Sequence, residues 1–231
     1  MTDPYQPIER RFRITRQLLE VALTHRQPVT LITKGSLVER DMDLLAELAR
    51  LQLAMVVVTV TTLEAELARR LEPRASAPWR RLETIRRLAA AGVPVSVSLG
   101  PVIPFINDHE LEAVLTSSRE AGARGAHYTL IRLPLEVSPL FEQWLQAHYP
   151  DRARRVMHRI QDMRNGRNYD SRYFSRMKGQ GVLADLIGMR FDNTVRRLGL
   201  NQDRLELRTD LFLKPAPPAR RQAAAEQLTL I

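Results

Sequence analysis

Short apolar runs recur along the first 131 residues, at Val29–Thr33, Met55–Val60, Val95–Leu99 and Ala126–Ile131, and this spacing limits the fold more than any other feature. Each run is too short for a buried helix and is rich in β-branched residues, so it reads as a strand. Met55–Val60 is apolar on both faces, the pattern of a parallel strand covered by helices. The segments between the runs have helical periodicity: Ile8–Ala22, Met42–Leu51, Leu63–Leu71, Trp79–Ala91 and Leu111–Ala121. Gly92 follows one of them as a helix-terminating residue. Asn107 with Glu110 three residues later has capping-box spacing. Strand–helix alternation with short links requires right-handed crossovers and a parallel sheet.

The pattern changes after Pro134, where Leu135–Tyr149, Asp151–Met163 and Leu183–Leu198 read as helices with loops at Gly166, Gly179 and Gly181. Prolines 215, 217 and 218 open a polar, alanine-containing tail. The expected architecture is α/β: a partial parallel β/α barrel of about four to five strands over residues 1–134, a basic helical extension over 135–213, and a flexible tail over 214–231.

Composition removes several function classes. The chain has no cysteine, so it offers no disulfide, no thiolate zinc site and no cysteine-ligated cluster from its own residues. Its five histidines are scattered without helical metal-ligand spacing, and no serine sits in a nucleophile elbow. The apolar run 53–60 is too short to cross a bilayer, and Thr2–Pro7 does not read as a signal peptide, so a cytoplasmic location without a membrane partner is expected. A formal charge of +9 favours an anionic partner such as nucleic acid; the alternative is a solvated basic surface.

Several segments occur in a specific order: Thr2-Asp3-Pro4-Tyr5-Gln6-Pro7-Ile8-Glu9, Ile32-Thr33-Lys34, Val60-Thr61-Thr62, Glu72-Pro73-Arg74, and Pro101-Val102-Ile103-Pro104 with Asn107-Asp108. Together they resemble the radical S-adenosylmethionine (radical SAM) proteins of the spore-photoproduct-lyase-like group, over the chain up to about residue 213. The resemblance implies a barrel that binds S-adenosylmethionine and a 4Fe-4S cluster, with cluster cysteines spaced Cys-x3-Cys-x2-Cys upstream of the Thr-Asp-Pro-Tyr segment. By that resemblance the first strand, the cluster loop and most of the second strand lie before Met1, and the chain alone is expected to be inactive.

The same resemblance assigns cofactor roles. Thr2 and Asp3 would meet the methionine amino group, Lys34 the cofactor's carboxylate or ribose, and Thr61 a sugar oxygen, with Val102 and Ile103 flanking the adenine. Each has a structural alternative: a frayed terminus for Thr2-Asp3, a loop charge for Lys34, a helix cap for Thr61 and core packing for Val102-Ile103.

Two further surfaces stand out. Residues 151–200 carry twelve arginines and lysines against five aspartates, with Tyr169, Tyr173 and Phe174 interleaved. Arg164, Arg167, Arg172, Tyr173, Arg176 and Lys178 are therefore candidates for binding DNA, against the alternative of a solvated helix face. At the end of the tail, Gln227, Leu228, Leu230 and Ile231 resemble the peptide with which bacterial repair proteins dock on the sliding clamp, with isoleucine where phenylalanine is usual. Two functions follow: radical S-adenosylmethionine chemistry, with a DNA lesion as substrate, or a non-enzymatic nucleic-acid-binding or clamp-associated protein that keeps the barrel as scaffold.

Overall fold

The computed structural model describes residues 3–172, 176–202 and 206–215. Its strands are β1 (Val29–Thr33), β2 (Ala54–Thr59), β3 (Val95–Val102) and β4 (Gly125–Leu130). The helices are α1 (Glu9–Phe12), α2 (Ile14–Thr24), α3 (Met42–Arg50), α4 (Ala65–Leu71), α5 (Pro78–Ala90), α6 (Leu111–Glu120), α7 (Val137–His148), α8 (Pro150–Asp162) and α9 (Val182–Leu198). All pairings are parallel and the strand order is β1-β2-β3-β4, so each strand lies beside its neighbour in sequence. This four-stranded α/β arrangement with a helical carboxy-terminal part is consistent with a partial β/α barrel.

The two faces of the sheet differ. Val56, Val58, Val95, Val97 and Leu99 share one face and one core with Leu45, Leu48, Ile85, Leu88 and Leu115 from α3, α5 and α6. Alternate residues point the other way, as the two-residue strand period demands. That second face carries Thr30 beside Met55, Val57 beside Ser96, and Thr59 beside Ser98. It stays partly open: Thr30, Ile32 and His127 are exposed, and Met55, Ser96 and Thr129 half-buried. Among the described residues the layered helical core of α3, α5 and α6 lies on the first face. On the open side, packing is so close that a Cβ at Gly125 would sit 2.4 Å from the Ser96 hydroxyl oxygen.

The sheet's edges are also unequal. The outer edge of β4 is closed by Asn201, whose side chain accepts from the Ala126 N–H at 2.8 Å and donates to the Ala126 carbonyl at 2.9 Å. Met177 adds a carbonyl acceptor for the Leu130 N–H at 2.9 Å. From α9, Ile187 and Phe191 join the same core as β3 and β4, so the extension packs directly on the sheet. β1 is the other terminal strand and has no strand partner on its outer side among the described residues.

The expected helix over 8–22 is broken in two. Arg13 takes a left-handed conformation (φ 52°), and the Glu9 carboxylate accepts from the N–H groups of Ile14 and Thr15 at the start of α2. A side chain thus satisfies the free donors of a helix start. The stripe Thr15, Leu19 and Ala22 is buried, while Ile14, Leu18 and Val21 are exposed, together with Ile8 and Phe12. No described helix is long and apolar enough to cross a membrane.

Candidate functional site

The carboxyl ends of the strands gather the polar residues. At β1 the Asp3 carboxylate accepts from the Thr33 hydroxyl, the Lys34 N–H and the Tyr5 N–H, each at 2.8 Å. Tyr5 is buried and donates its hydroxyl to Asp41 at 3.1 Å, and burial followed by the Asp41 charge pushes the phenol well above its ordinary value. Arg40 binds both Glu9 and Asp41. These contacts fasten segment 3–9 to the first strand. Gly35 allows the close approach, since a Cβ there would lie 3.2 Å from the Tyr5 carbonyl oxygen.

Glu72, just after α4, is the hub of the site. One of its carboxylate oxygens lies 2.5 Å from Lys34 Nζ and 3.0 Å from the Thr61 hydroxyl; the other accepts from Arg81 at 2.7 Å. Arg81 is itself buried and donates to the carbonyls of Thr59 and Ser76. Burial alone would raise the Glu72 pKa, but the charges of Arg81 and Lys34 outweigh it and hold the carboxyl below its usual range. Thr61 has one hydroxyl proton and two acceptors at 3.0 Å, Glu72 and the Gly100 carbonyl, and cannot satisfy both fully at once. A cavity of about 460 Å³ opens beside this cluster, lined by Lys34, Thr59, Ser98, Gly100, Thr129 and Arg132 among others.

The Asn107–Glu110 pair does not form the expected capping box. Asn107 accepts from the Ile103 N–H at 2.7 Å and donates to the carbonyls of Thr61 at 2.7 Å and Pro101 at 3.0 Å. It therefore ties the end of β2 to the end of β3. Glu110 accepts from the Thr62 hydroxyl at 2.5 Å and the Leu63 N–H at 2.7 Å. Capping spacing was present, but tertiary donors claimed both side chains. Glu64, His109 and Glu110 also bring one ligand atom each within 4.8 Å, a grouping invisible to helical spacing; both Glu110 oxygens are already engaged.

Of the cofactor candidates, Lys34 and Thr61 meet at Glu72, and Asp3 is linked to them through the Lys34 N–H. Val102 is 1% exposed and packs in the core, and its carbonyl accepts from the Ile131 N–H. Its side chain thus takes the core-packing alternative. Thr2 lies outside the described residues.

The candidates for DNA contact separate. Arg167 and Lys178 are exposed, Arg172 is exposed but paired with Asp170 at 2.8 Å, and Arg176 is half-buried. Arg164 is corrected by the structure: it is 1% exposed and donates to the Ile131 carbonyl at 2.9 Å, so its guanidinium is a core donor and is not offered to a surface phosphate. Tyr173 and the clamp candidates Gln227, Leu228, Leu230 and Ile231 lie outside the described residues.

Sequence reasoning quoted Glu72 in a motif without a role and passed over Arg81 and Arg132. The available signal for Arg132 was its place: it follows β4 closely, as Lys34 follows β1 and Thr61 follows β2.

A family model described as the radical SAM superfamily matches residues 2–117, half of the chain. Rv2578c of Mycobacterium tuberculosis strain H37Rv is 31% identical over 152 residues, covering 65% of this chain and 45% of that protein. MJ0683 of Methanocaldococcus jannaschii is 26% identical over 151 residues, covering 65% of this chain and 55% of that protein. ORF301 of Acidianus two-tailed virus is 35% identical over 102 residues, covering 44% of this chain and 33% of that protein. All three are described as uncharacterized. The chain spans about half the length of the first two relatives.

Proposed function

Because the chain belongs to the radical SAM superfamily, we propose that the carboxyl end of its sheet forms part of an S-adenosylmethionine site, with Lys34 as the cation for the cofactor's carboxylate or ribose. The observation that carries this reading is that Lys34, held by Glu72 with Thr61 on the same carboxylate, lines a cavity at the carboxyl ends of parallel strands. Parallel β/α folds place ligands at that end.

The donor set fits the nucleoside part of such a cofactor. Glu72 holds the Lys34 ammonium at the cavity rim, and the Thr61 hydroxyl lies 3.0 Å from both Glu72 and the Gly100 carbonyl. A ligand oxygen arriving at Lys34 would therefore meet a cation already steered into place. The family also implies a 4Fe-4S cluster, and here the residues do not fit: these 231 residues contain no cysteine to supply a thiolate. Cluster ligands must come from outside this sequence. Calorimetry with S-adenosylmethionine tests the site. Saturable binding that weakens about tenfold or more in Lys34→Ala, on the scale of one charge-assisted contact, supports the reading. Absence of binding to the wild-type chain overturns it.

The substrate we propose is DNA, by likeness to spore photoproduct lyase, and the basic excess over residues 151–200 supports an anionic partner. The same excess favours a second reading, a nucleic-acid-binding or clamp-associated protein without turnover, with residues 227–231 as the clamp peptide. That reading requires salt-sensitive DNA binding with no affinity for S-adenosylmethionine.

A further inference from the structure

The cations around the cavity are not equally neutralised. Lys34 and Arg81 both pair with Glu72. Arg132, at the far side of the same cavity, forms no ion pair with any carboxylate of the described residues. Its contacts are the Tyr169 hydroxyl at 3.0 Å, the Tyr169 ring with its centroid at 5.6 Å, and the Met177 sulfur at 3.7 Å. Arg132 Nε is shielded from solvent and has no hydrogen-bond partner among the described residues. A guanidinium offers five donors in a rigid fork that matches the oxygens of a phosphate or carboxylate. Here the ring and hydroxyl of Tyr169 orient the fork, and part of it is unused.

The surroundings favour a phosphate. Close in sequence to Tyr169 and Met177, the residues that touch Arg132, stand the basic residues Arg167, Arg176 and Lys178, while Arg172 is paired with Asp170. Arg167 and Lys178 are exposed. Exposed cations near Arg132 in sequence suit a ligand with several phosphates in series better than a lone carboxylate.

We propose that Arg132 anchors a backbone phosphate of a nucleotide-class substrate inside the cavity, across from Lys34. This assignment rests on the cofactor reading only in giving Lys34 to the cofactor and Arg132 to the substrate. The Thr59, Ser98 and Thr129 hydroxyls line the space between them, as donors and acceptors for a sugar or base.

Fluorescence anisotropy with a labelled octathymidylate tests the proposal on the full chain, using wild type, Arg132→Met, Arg132→Lys and Tyr169→Phe. Circular dichroism melts confirm folding. Arg132→Met is expected to bind at least tenfold more weakly, with the salt slope reduced by about 0.7, the loss of one phosphate contact on a single strand. Arg132→Lys should recover part of the affinity, and Tyr169→Phe should show a smaller loss. Should Arg132→Met fail to fold, competition on the wild type decides: thymidine monophosphate must displace the probe better than thymidine or succinate. Wild-type affinity and slope in folded Arg132→Met, or displacement by succinate as good as by the monophosphate, overturns the proposal. Calorimetry with S-adenosylmethionine on the same samples keeps the two ideas apart: no cofactor binding sinks the cofactor reading, while Arg132-dependent probe binding still supports the phosphate anchor.

Discussion

Glu72 is held between Lys34 and Arg81, and its depressed pKa fixes the sign of a pH effect. Stabilisation from this carboxylate is fully present above its unfolded-state value of about 4.5 and is lost as pH falls through the lower folded-state value. Glu72→Gln leaves two cations facing a neutral amide, one of them the buried Arg81. Urea unfolding at pH 7 is expected to show a loss of about 3 kcal/mol. The gap to wild type should narrow as pH falls below about 4.5, where the unfolded chain takes up the proton first, and close once the folded carboxylate is protonated at its lower value. A gap unchanged across that range would mean that the ion pairs do not carry the effect. The places of Lys34 and Thr61 just after β1 and β2 were legible in the sequence, because the strands could be read directly; the cofactor roles given to them came from the resemblance. Glu72 was not legible as their partner, because nothing local couples a residue beyond α4 to strands on either side. Arg164 misled for a related reason: arginines are seldom buried, and the Ile131 carbonyl that accepts from this one is distant in sequence.

At the scale of elements, strand runs and helical segments could be read directly, since a change of period from two to about 3.6 is visible in a single sequence. What periodicity does not reveal is which apolar stripe faces inward. In α2, Leu19 is 2% exposed and Leu18 is 63% exposed, although both are leucines in the same amphipathic segment. Leu19→Ala should cost about 3 kcal/mol in chemical denaturation, in the range for an emptied core position. Leu18→Gln should change stability by less than about 0.5 kcal/mol. It should also reduce self-association in light scattering, because it interrupts the exposed stripe of Ile14, Leu18 and Val21. Equal losses of stability in the two variants would show that the assigned faces are wrong. The break at Arg13 has the same origin: helical spacing runs through it, but the Glu9 carboxylate starts a new helix at Ile14.

For the molecule as a whole, the absent thiolate sets one expectation and the basic charge another. Anaerobic reconstitution with iron and sulfide should give no stoichiometric charge-transfer absorption of a cysteine-ligated cluster; its appearance would require ligation that these residues do not supply. A labelled peptide of residues 227–231 should bind a bacterial sliding clamp saturably, and a flat titration removes the clamp from the set of partners.

Strands ordered as they occur in the sequence have a kinetic consequence. Each ladder joins strands that follow one another in the sequence, so no sheet pairing waits for a strand beyond the next one. A chain emerging from the ribosome can therefore complete the β1–β2 ladder while β4 is still unsynthesised. The last sheet edge to be sealed is that of β4, because Met177 and Asn201 are translated after every strand. Hydrogen exchange on chains stalled during synthesis should thus show the Val29 N–H, which donates to Leu53, protected before those of Ala126 and Leu130.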